Sequence, residues 1–254
     1  MVFLNYIPHL LKSVHLHGIH SPFIFDFQHQ CLYDKKRYQE YDELLRFRES
    51  VKNHKQILKV EDFGAGSRIF KNNIRKTDEI LRHNCSTINK TKILFRIARY
   101  FKIENALELG TSLGLGSHAL STAQPKALID TVEGSKEVSQ FTSERLKNHL
   151  NVKVHNNQFL DFLHSDKCKP KYDLIFLDGH HDGTATVAYF NELLKHSHDQ
   201  TIFILDDINW SKDMNAAWKT LQKHPRVTAS IDTFKWGFIW TRPEQRQQSF
   251  HIFL

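Results

Sequence analysis

Ala106-Leu-Glu-Leu-Gly-Thr-Ser-Leu-Gly-Leu-Gly116 is the stretch that decides the fold. A short apolar run passes straight into a turn with glycines at 110, 114 and 116, and Glu108 stands two positions before the first of them. Glycine tolerates positive φ and lets a ligand come close to the backbone. Such a turn, opening into a helix, makes a cradle for a polar small molecule at the C-terminal edge of a parallel sheet. Taken alone, it also fits a tight turn that holds nothing.

Outward from this turn the chain alternates strand and helix. Short runs, mostly apolar and rich in β-branched or aromatic residues, predict strands at 106–109, 127–132, 152–155, 172–177 and 201–205. That composition suits strands buried on both faces. Helical stretches lie between them, at 136–150 and 184–196. The rhythm implies βαβ crossovers and a parallel sheet. It changes at 226–231 and 234–240, which are close enough in sequence for an antiparallel hairpin, and 249–254 can add one more strand.

The first hundred residues read differently. Leu94, Ile97, Ala98 and Phe101 recur at helical spacing behind an N-cap expected at Ser86, and the charged segment 35–55 predicts another helix. Residues 1–85 are therefore expected to form a mainly helical extension, serving as substrate cover or partner contact, and 86–254 the main domain. His15, His17 and His20 cluster before Ser21-Pro22 without nearby acidic or cysteine partners, so packing or loop roles are expected of them rather than a metal site. Val60-Glu-Asp-Phe-Gly-Ala-Gly-Ser67 imitates a second glycine turn. The next residues, 68–82, are polar and basic, with no apolar strand ending in a carboxylate. The Gly64-Ala65-Gly66 turn is read as structural, or as a lid.

The strongest catalytic pattern is Tyr172-Asp-Leu-Ile-Phe-Leu-Asp178-Gly-His-His181. Four apolar residues drive a strand into the core, Asp178 stands at its C-terminal end, and Gly179 permits close approach. Thr201-Ile-Phe-Ile-Leu-Asp206-Asp207 ends the next strand in a carboxylate pair. In a parallel sheet both ends open on one edge, so Asp178, Asp206 and Asp207 are expected to converge. Carboxylates brought together repel one another unless a cation or a shared proton relieves them. Oxygen-only ligands suit Mg²⁺, Mn²⁺ or Ca²⁺. The plainer alternative is that Asp206 holds loop geometry and Asp207 caps a turn. His181, or His180 in its place, has the pKa range of a general base near neutral pH. Trp218 and Trp240 are assigned to packing. Asn209, Trp210 and Trp236 are expected on the same edge as the acids, with Trp210 left open as a pocket wall.

Glu108 through Gly114, Glu133, the Tyr172–Asp178 strand and the Asp206-Asp207 strand end together resemble a class I S-adenosylmethionine-dependent methyltransferase. The likeness runs over about residues 90–240 and is nearest to small-molecule O-methyltransferases of the catechol and sugar type. It implies a Rossmann-like three-layer α/β sandwich whose mostly parallel seven-stranded sheet carries a C-terminal antiparallel hairpin. It also implies a cofactor site. The loop Gly110, Thr111, Ser112, Gly114 would offer backbone N–H groups to the methionine carboxylate, and Glu108 would accept from the ammonium. Glu133, followed by Gly134, would accept from the ribose hydroxyls, and Gln158 would line the adenine, although a plain helix start there is equally compatible. Asp178 would serve cofactor and catalysis together, and a divalent cation on Asp178, Asp206 and Asp207 would gather the acceptor's hydroxyls. Catechol-type enzymes carry Asn where Asp207 stands, which leaves that cation an open expectation. A dehydrogenase would need G-x-G-x-x-G, and the glycine order here is different.

Composition sets the outer bounds. The chain has 254 residues, is 40% hydrophobic with 19 Phe, and carries a formal charge of +7. Residues 1–103 hold 19 Lys and Arg against 10 Asp and Glu, whereas 104–254 hold 16 against 18. The basic excess keeps a nucleic-acid methyltransferase as an alternative, as a fold-retaining binding protein without catalysis also is. No compact basic run with interleaved aromatics favours nucleic acid, so the expected partner is a small-molecule acceptor, with a homodimer left open. Three separated cysteines, Cys31, Cys85 and Cys168, indicate neither a disulfide framework nor a zinc site and fit a cytoplasmic setting. The first twelve residues lack the basic and apolar regions of a signal peptide, and no run approaches the ~18 apolar residues of a membrane span.

Overall fold

The structure is a computed structural model that describes residues 9, 13, 20–61, 63 and 73–254. His15, His17 and the Gly64-Ala65-Gly66 turn lie outside the described residues. The chain divides into two compact units, 35–168 on one hand and 1–34 with 169–254 on the other.

In the 35–168 unit, a two-stranded antiparallel arm pairs β1 (Ile57–Lys59) with β2 (Ile74–Lys76). The parallel core is β3 (Asn105–Leu109), β4 (Leu128–Glu133) and β5 (Val152–Asn156), in the order β3-β4-β5. Helix Leu115–Ala123 connects β3 to β4, and helix Lys136–Arg145 connects β4 to β5, as the alternation of patterns predicts. Helices Tyr41–Asn53, Thr77–His83 and Ile88–Tyr100 account for the charged amphipathic segments. The last of these begins one residue later than its expected cap. Thr87, not Ser86, is the N-cap, and its side chain accepts from Lys90 N at 3.3 Å. Val51, Leu58, Ile80, Leu81, Leu113, Leu115, Val138 and Phe141 make one apolar cluster. It fastens the C-terminal end of the glycine turn, because Leu113 and Leu115 flank Gly114.

In the other unit, β6 (Tyr172–Leu177) runs parallel to β7 (Ser197–Leu205), and β8 (Ala229–Asp232) and β9 (Gly237–Trp240) form the expected antiparallel hairpin. β9 pairs antiparallel with β7. β10 (Gln248–His251) adds to the hairpin, parallel to β8 and with Asp232 opposite His251. The order is β10-β8-β9-β7-β6. Counted over both units, the described strands besides the arm are mostly parallel with a C-terminal antiparallel hairpin, the α/β class expected from the sequence, and they number eight rather than the seven expected because β10 is added. Trp218, Trp236 and Trp240 are core residues, at most 2% exposed. Helix Pro22–Phe27 lays Phe27 edge-on against Phe238 and Trp240, with ring centroids 5.6 and 5.3 Å away. Among the described residues no helix is long and apolar enough to cross a membrane.

Candidate functional site

The glycine turn is a strained and well-anchored loop. Gly110 and Gly114 sit at φ 106° and 79°, and between them Ser112 is left-handed at φ 46°. A β-carbon on Gly114 would lie 2.8 Å from Thr142 Cγ2 and 3.1 Å from Leu146 Cδ1, so glycine is demanded by space as well as by φ. The amides of Gly110 and Thr111 donate to Val132 O at 3.0 and 3.2 Å, tying the turn to β4. Thr142 Oγ1 donates to Ser112 O at 2.6 Å.

Glu133 ends β4 and is held in place by backbone. Its Oε2 accepts from Ser112 N and its Oε1 from Ser135 N, both at 2.9 Å. Asn156, at the end of β5, donates through Nδ2 to the carbonyls of Glu133 and Gly134 at 2.9 and 3.0 Å. The loop, the acid and the neighbouring strand end are therefore one hydrogen-bonded unit. Phe63 lies over Gly134, where a β-carbon would come within 2.7 Å of its ring. The arm carrying Phe63 is tied down by Lys59 N on Glu137 Oε2 (2.6 Å) and Glu61 N on Ser135 Oγ (3.1 Å). Sequence reasoning singles out neither Phe63 nor Asn156. Phe63 lies inside the imitation glycine motif, whereas Asn156, a polar residue closing an apolar strand, carries a usable signal. Gln158 caps helix Phe159–Leu163 by position without a side-chain bond to it, and its side chain is exposed.

Glu108 faces the interior. It is 1% exposed, and its Oε2 accepts from Thr131 Oγ1 at 2.7 Å and from Ser117 Oγ. Thr131 in turn shares a 2.6 Å bond with Thr111 of the turn. Its other oxygen sits against Gly116, whose missing β-carbon would be 1.9 Å away. Burial pushes the Glu108 pKa up to about 7, against the opposing pull of the Ser117 and Thr131 bonds and with added repulsion from Glu133. This carboxylate braces the loop from below.

The other unit carries the second group of expected residues. Asp178 follows β6, and His180 and His181 both take left-handed backbone, at φ 72° and 44°. Non-glycine residues hold such angles only where surroundings enforce them. Asp182 supplies one enforcement, capping helix Gly183–Leu193 through a 2.8 Å bond from Ala185 N. Gly183 N also donates to Asp213 Oδ2 at 2.5 Å. His180 Nδ1 and Tyr189 Oη are 2.7 Å apart. Burial raises the Tyr189 pKa, as does the nearby Asp182 charge, so the phenol stays protonated. The His181 ring faces Trp210 at 6.3 Å between centroids. Asp206 is buried and turns its Oδ1 back to accept from Asp207 N at 2.8 Å, and Asp207 is left-handed at φ 50°. Asn209 is spent on structure, donating to Phe234 O at 2.8 Å.

The expected carboxylate trio is not gathered to ligand spacing. Among the described residues, clusters of at least three His, Cys, Asp or Glu with ligand atoms within 4.8 Å of one another are His9–Asp232–His251 and Glu43–His118–His149. Asp178, Asp206 and Asp207 belong to neither. Locally, the Asp206 carboxylate accepts from its neighbour's amide and Asp207 takes left-handed backbone just past the end of β7.

Comparison with known proteins adds to this geometry. Residues 107–208 match the model of a family described as a methyltransferase domain. A search of curated proteins returns no match. Among solved structures, a Podospora anserina methyltransferase bound to S-adenosylhomocysteine is similar at TM-score 0.62 and 15% identity, over 88% of this chain and 97% of that one. An O-methyltransferase from Streptomyces achromogenes, solved with S-adenosylmethionine and involved in tomaymycin synthesis, scores 0.57 at 17% identity, over 82% and 91%. The Bacillus cereus O-methyltransferase with S-adenosylhomocysteine scores 0.54 at 20% identity, over 84% and 94%. The glycine turn, Glu133, Asp178 and the Asp206–Asp207 strand end all fall inside the matched stretch. Residues 107–208 thus resemble a methyltransferase domain, and the fold is the one shared by these methyltransferase structures.

Proposed function

We propose that the protein transfers a methyl group from S-adenosylmethionine to a hydroxyl of a small molecule. The observation that carries this reading is the Glu133 carboxylate at the end of β4, clasping the Ser112 amide of the glycine turn. The residues fit the cofactor. The turn needs glycine at 110 and 114, and an acid stands at the strand end where ribose hydroxyls are accepted in nucleoside-binding folds. In this reading residues 110–114 hold the methionine tail, Glu133 the ribose and Gln158 the adenine edge. When bound, the sulfonium supplies an electrophilic methyl group.

The remaining chemistry falls to the ends of β6 and β7. His181 takes the proton of the acceptor hydroxyl at an imidazole nitrogen, for which a neutral histidine near pH 7 is suited. His180, bonded to the Tyr189 phenol, positions that segment and is the alternative base. Asp178 and Asp206 orient the acceptor. A positioned base of this kind is worth about 10²–10⁴ in rate. Because the three carboxylates are not at ligand spacing, no step is routed through a metal. Similarity to O-methyltransferases supports oxygen as the acceptor atom.

The test is calorimetric titration with S-adenosylmethionine and S-adenosylhomocysteine, then methyl-transfer assays on a panel of phenols, catechols and sugars. Saturable binding that Glu133→Ala weakens at least tenfold, with turnover on a hydroxyl compound, supports the proposal. Binding unaffected by Glu133→Ala would refute it.

A further inference from the structure

We propose that His9, Asp232 and His251 form a zinc site that ties the segment at residue 9 to strands β8 and β10. The register of the sheet sets up the site. Asp232 ends β8, and His251 sits directly opposite it on the parallel neighbour β10. Ile252 N donates to Asp232 O at 2.9 Å and locks that register. His9 completes the group, with Nδ1 at 3.3 Å from Asp232 Oδ1, and His251 Nδ1 lies 3.8 Å from Asp232 Oδ2. His9 and Asp232 are buried, and His251, with its side chain 32% exposed, leaves an entry path.

Three features mark this as a ligand set rather than an ordinary ion pair. First, His9 faces an acceptor at each ring nitrogen, since Nε2 lies 3.3 Å from Ile252 O. A neutral imidazole has only one N–H. In the tautomer with that proton on Nε2 and directed to the carbonyl, Nδ1 would offer its lone pair on the carboxylate side, where a bound cation would bridge the two. Backbone carbonyls that fix the tautomer in this way are the usual outer partners of zinc-binding histidines. Second, the 3.3 Å between His9 Nδ1 and Asp232 Oδ1 is longer than a strong direct bond and matches the separation of two ligands on one metal. Charge-assisted N–H···O⁻ bonds run about 2.7–2.9 Å. Ligand atoms on a tetrahedral zinc, each about 2.0–2.1 Å from the metal, stand about 3.3 Å apart. Third, the carboxylate is oriented independently of the histidines. Phe234 N donates to its Oδ1 at 2.8 Å and Trp218 Nε1 to its Oδ2 at 2.9 Å. Two imidazoles and one carboxylate, without sulfur, suit zinc, with water as the fourth ligand.

The experiment uses the full chain, freed of metal by chelator and dialysed. Titration with Zn²⁺ is monitored by calorimetry and by melting temperature, and titration with Co²⁺ by the strong visible bands of the tetrahedral ion. One equivalent should bind with a rise in melting temperature, and both effects should vanish in His251→Ala, a substitution at a partly exposed edge position that leaves the core intact. His149→Ala should retain them, which separates this site from Glu43–His118–His149. Absence of binding to the wild type, or equal binding by His251→Ala, would overturn the proposal. Stabilisation on acidification alone, without a zinc effect, would instead make the cluster a protonated His–Asp–His bridge and would equally overturn it.

Discussion

Replacing Glu108 by glutamine should make the protein more stable in alkali and leave it no more stable in acid. Burial lifts this carboxyl from 4.5 to about 7, so the folded state holds a proton that the unfolded state has released. Stability contributed by a raised group is complete below the unfolded pKa and is lost as pH rises through the folded one. At about 1.4 kcal/mol per pKa unit, the wild type loses about 3 kcal/mol at pH 8 and less than about 1 at pH 5. Glutamine keeps an oxygen for Ser117 and Thr131 but places an amide N–H₂ in the tight space beside Gly116, offsetting about 1 kcal/mol. The net gain is about 2 kcal/mol at pH 8, or about 4–8 °C in melting temperature for a chain of this size, with no gain at pH 5. Thermal melts at the two pH values decide it. A change in stability that is the same at both would show that Glu108 does not titrate in this window and that its burial is wrongly described.

The same geometry sets the outcome of other perturbations. Gly116→Ala should destabilise by about 1–3 kcal/mol, and Glu108→Ala should relieve most of that in the double variant, because the clash is with the Glu108 carboxylate; denaturant melts of the four proteins test the cycle. His118, stacked on Phe47 at 4.0 Å, has its pKa lowered to about 3 by burial and by His149. Its share of stability is therefore lost as pH falls below 6.5, the opposite slope to Glu108, and His118→Gln should flatten the acid limb of a stability–pH profile. Once an acceptor is found, His181→Ala should lower kcat by about 10²–10⁴ with little change in cofactor affinity, whereas His180→Ala should lower it less; comparable losses in both, measured at saturating cofactor, would reassign the base.

The fold was largely legible because buried parallel strands announce themselves. Leu107, Leu109, Ile129, Val132, Leu174 and Phe176 are almost fully excluded from water, so each strand is written as a short, mostly apolar run. The glycine turn was legible for a related reason, since positive φ and crowding leave few residues able to stand at 110 and 114. Glu133 could be picked out by its place after an apolar strand. Glu108 is legible as an acid just before the turn, but its hydrogen-bond partners are not, because sequence does not show which way a strand residue's side chain points. Here Ser117 and Thr131 draw it inward. Asp178, Asp206 and Asp207 could be placed at strand ends from the sequence, but not the left-handed backbone at Asp207 or the local bond that holds the Asp206 carboxylate, which strand position does not forecast. His9 is separated from Asp232 and His251 by most of the chain, and the pairing of Asp232 with His251 depends on the β8–β10 register, neither of which sequence shows.

That register has a cost if the last strand is removed. Ala229–Asp232 is buried along its whole length, and β10 is what covers its outer side. Deletion of residues 248–254 would bare a row of unpaired amides and carbonyls along β8, an open template for another chain to add to. Such a shortened protein should self-associate through that border, and a lysine placed at Ser230 should restrain it.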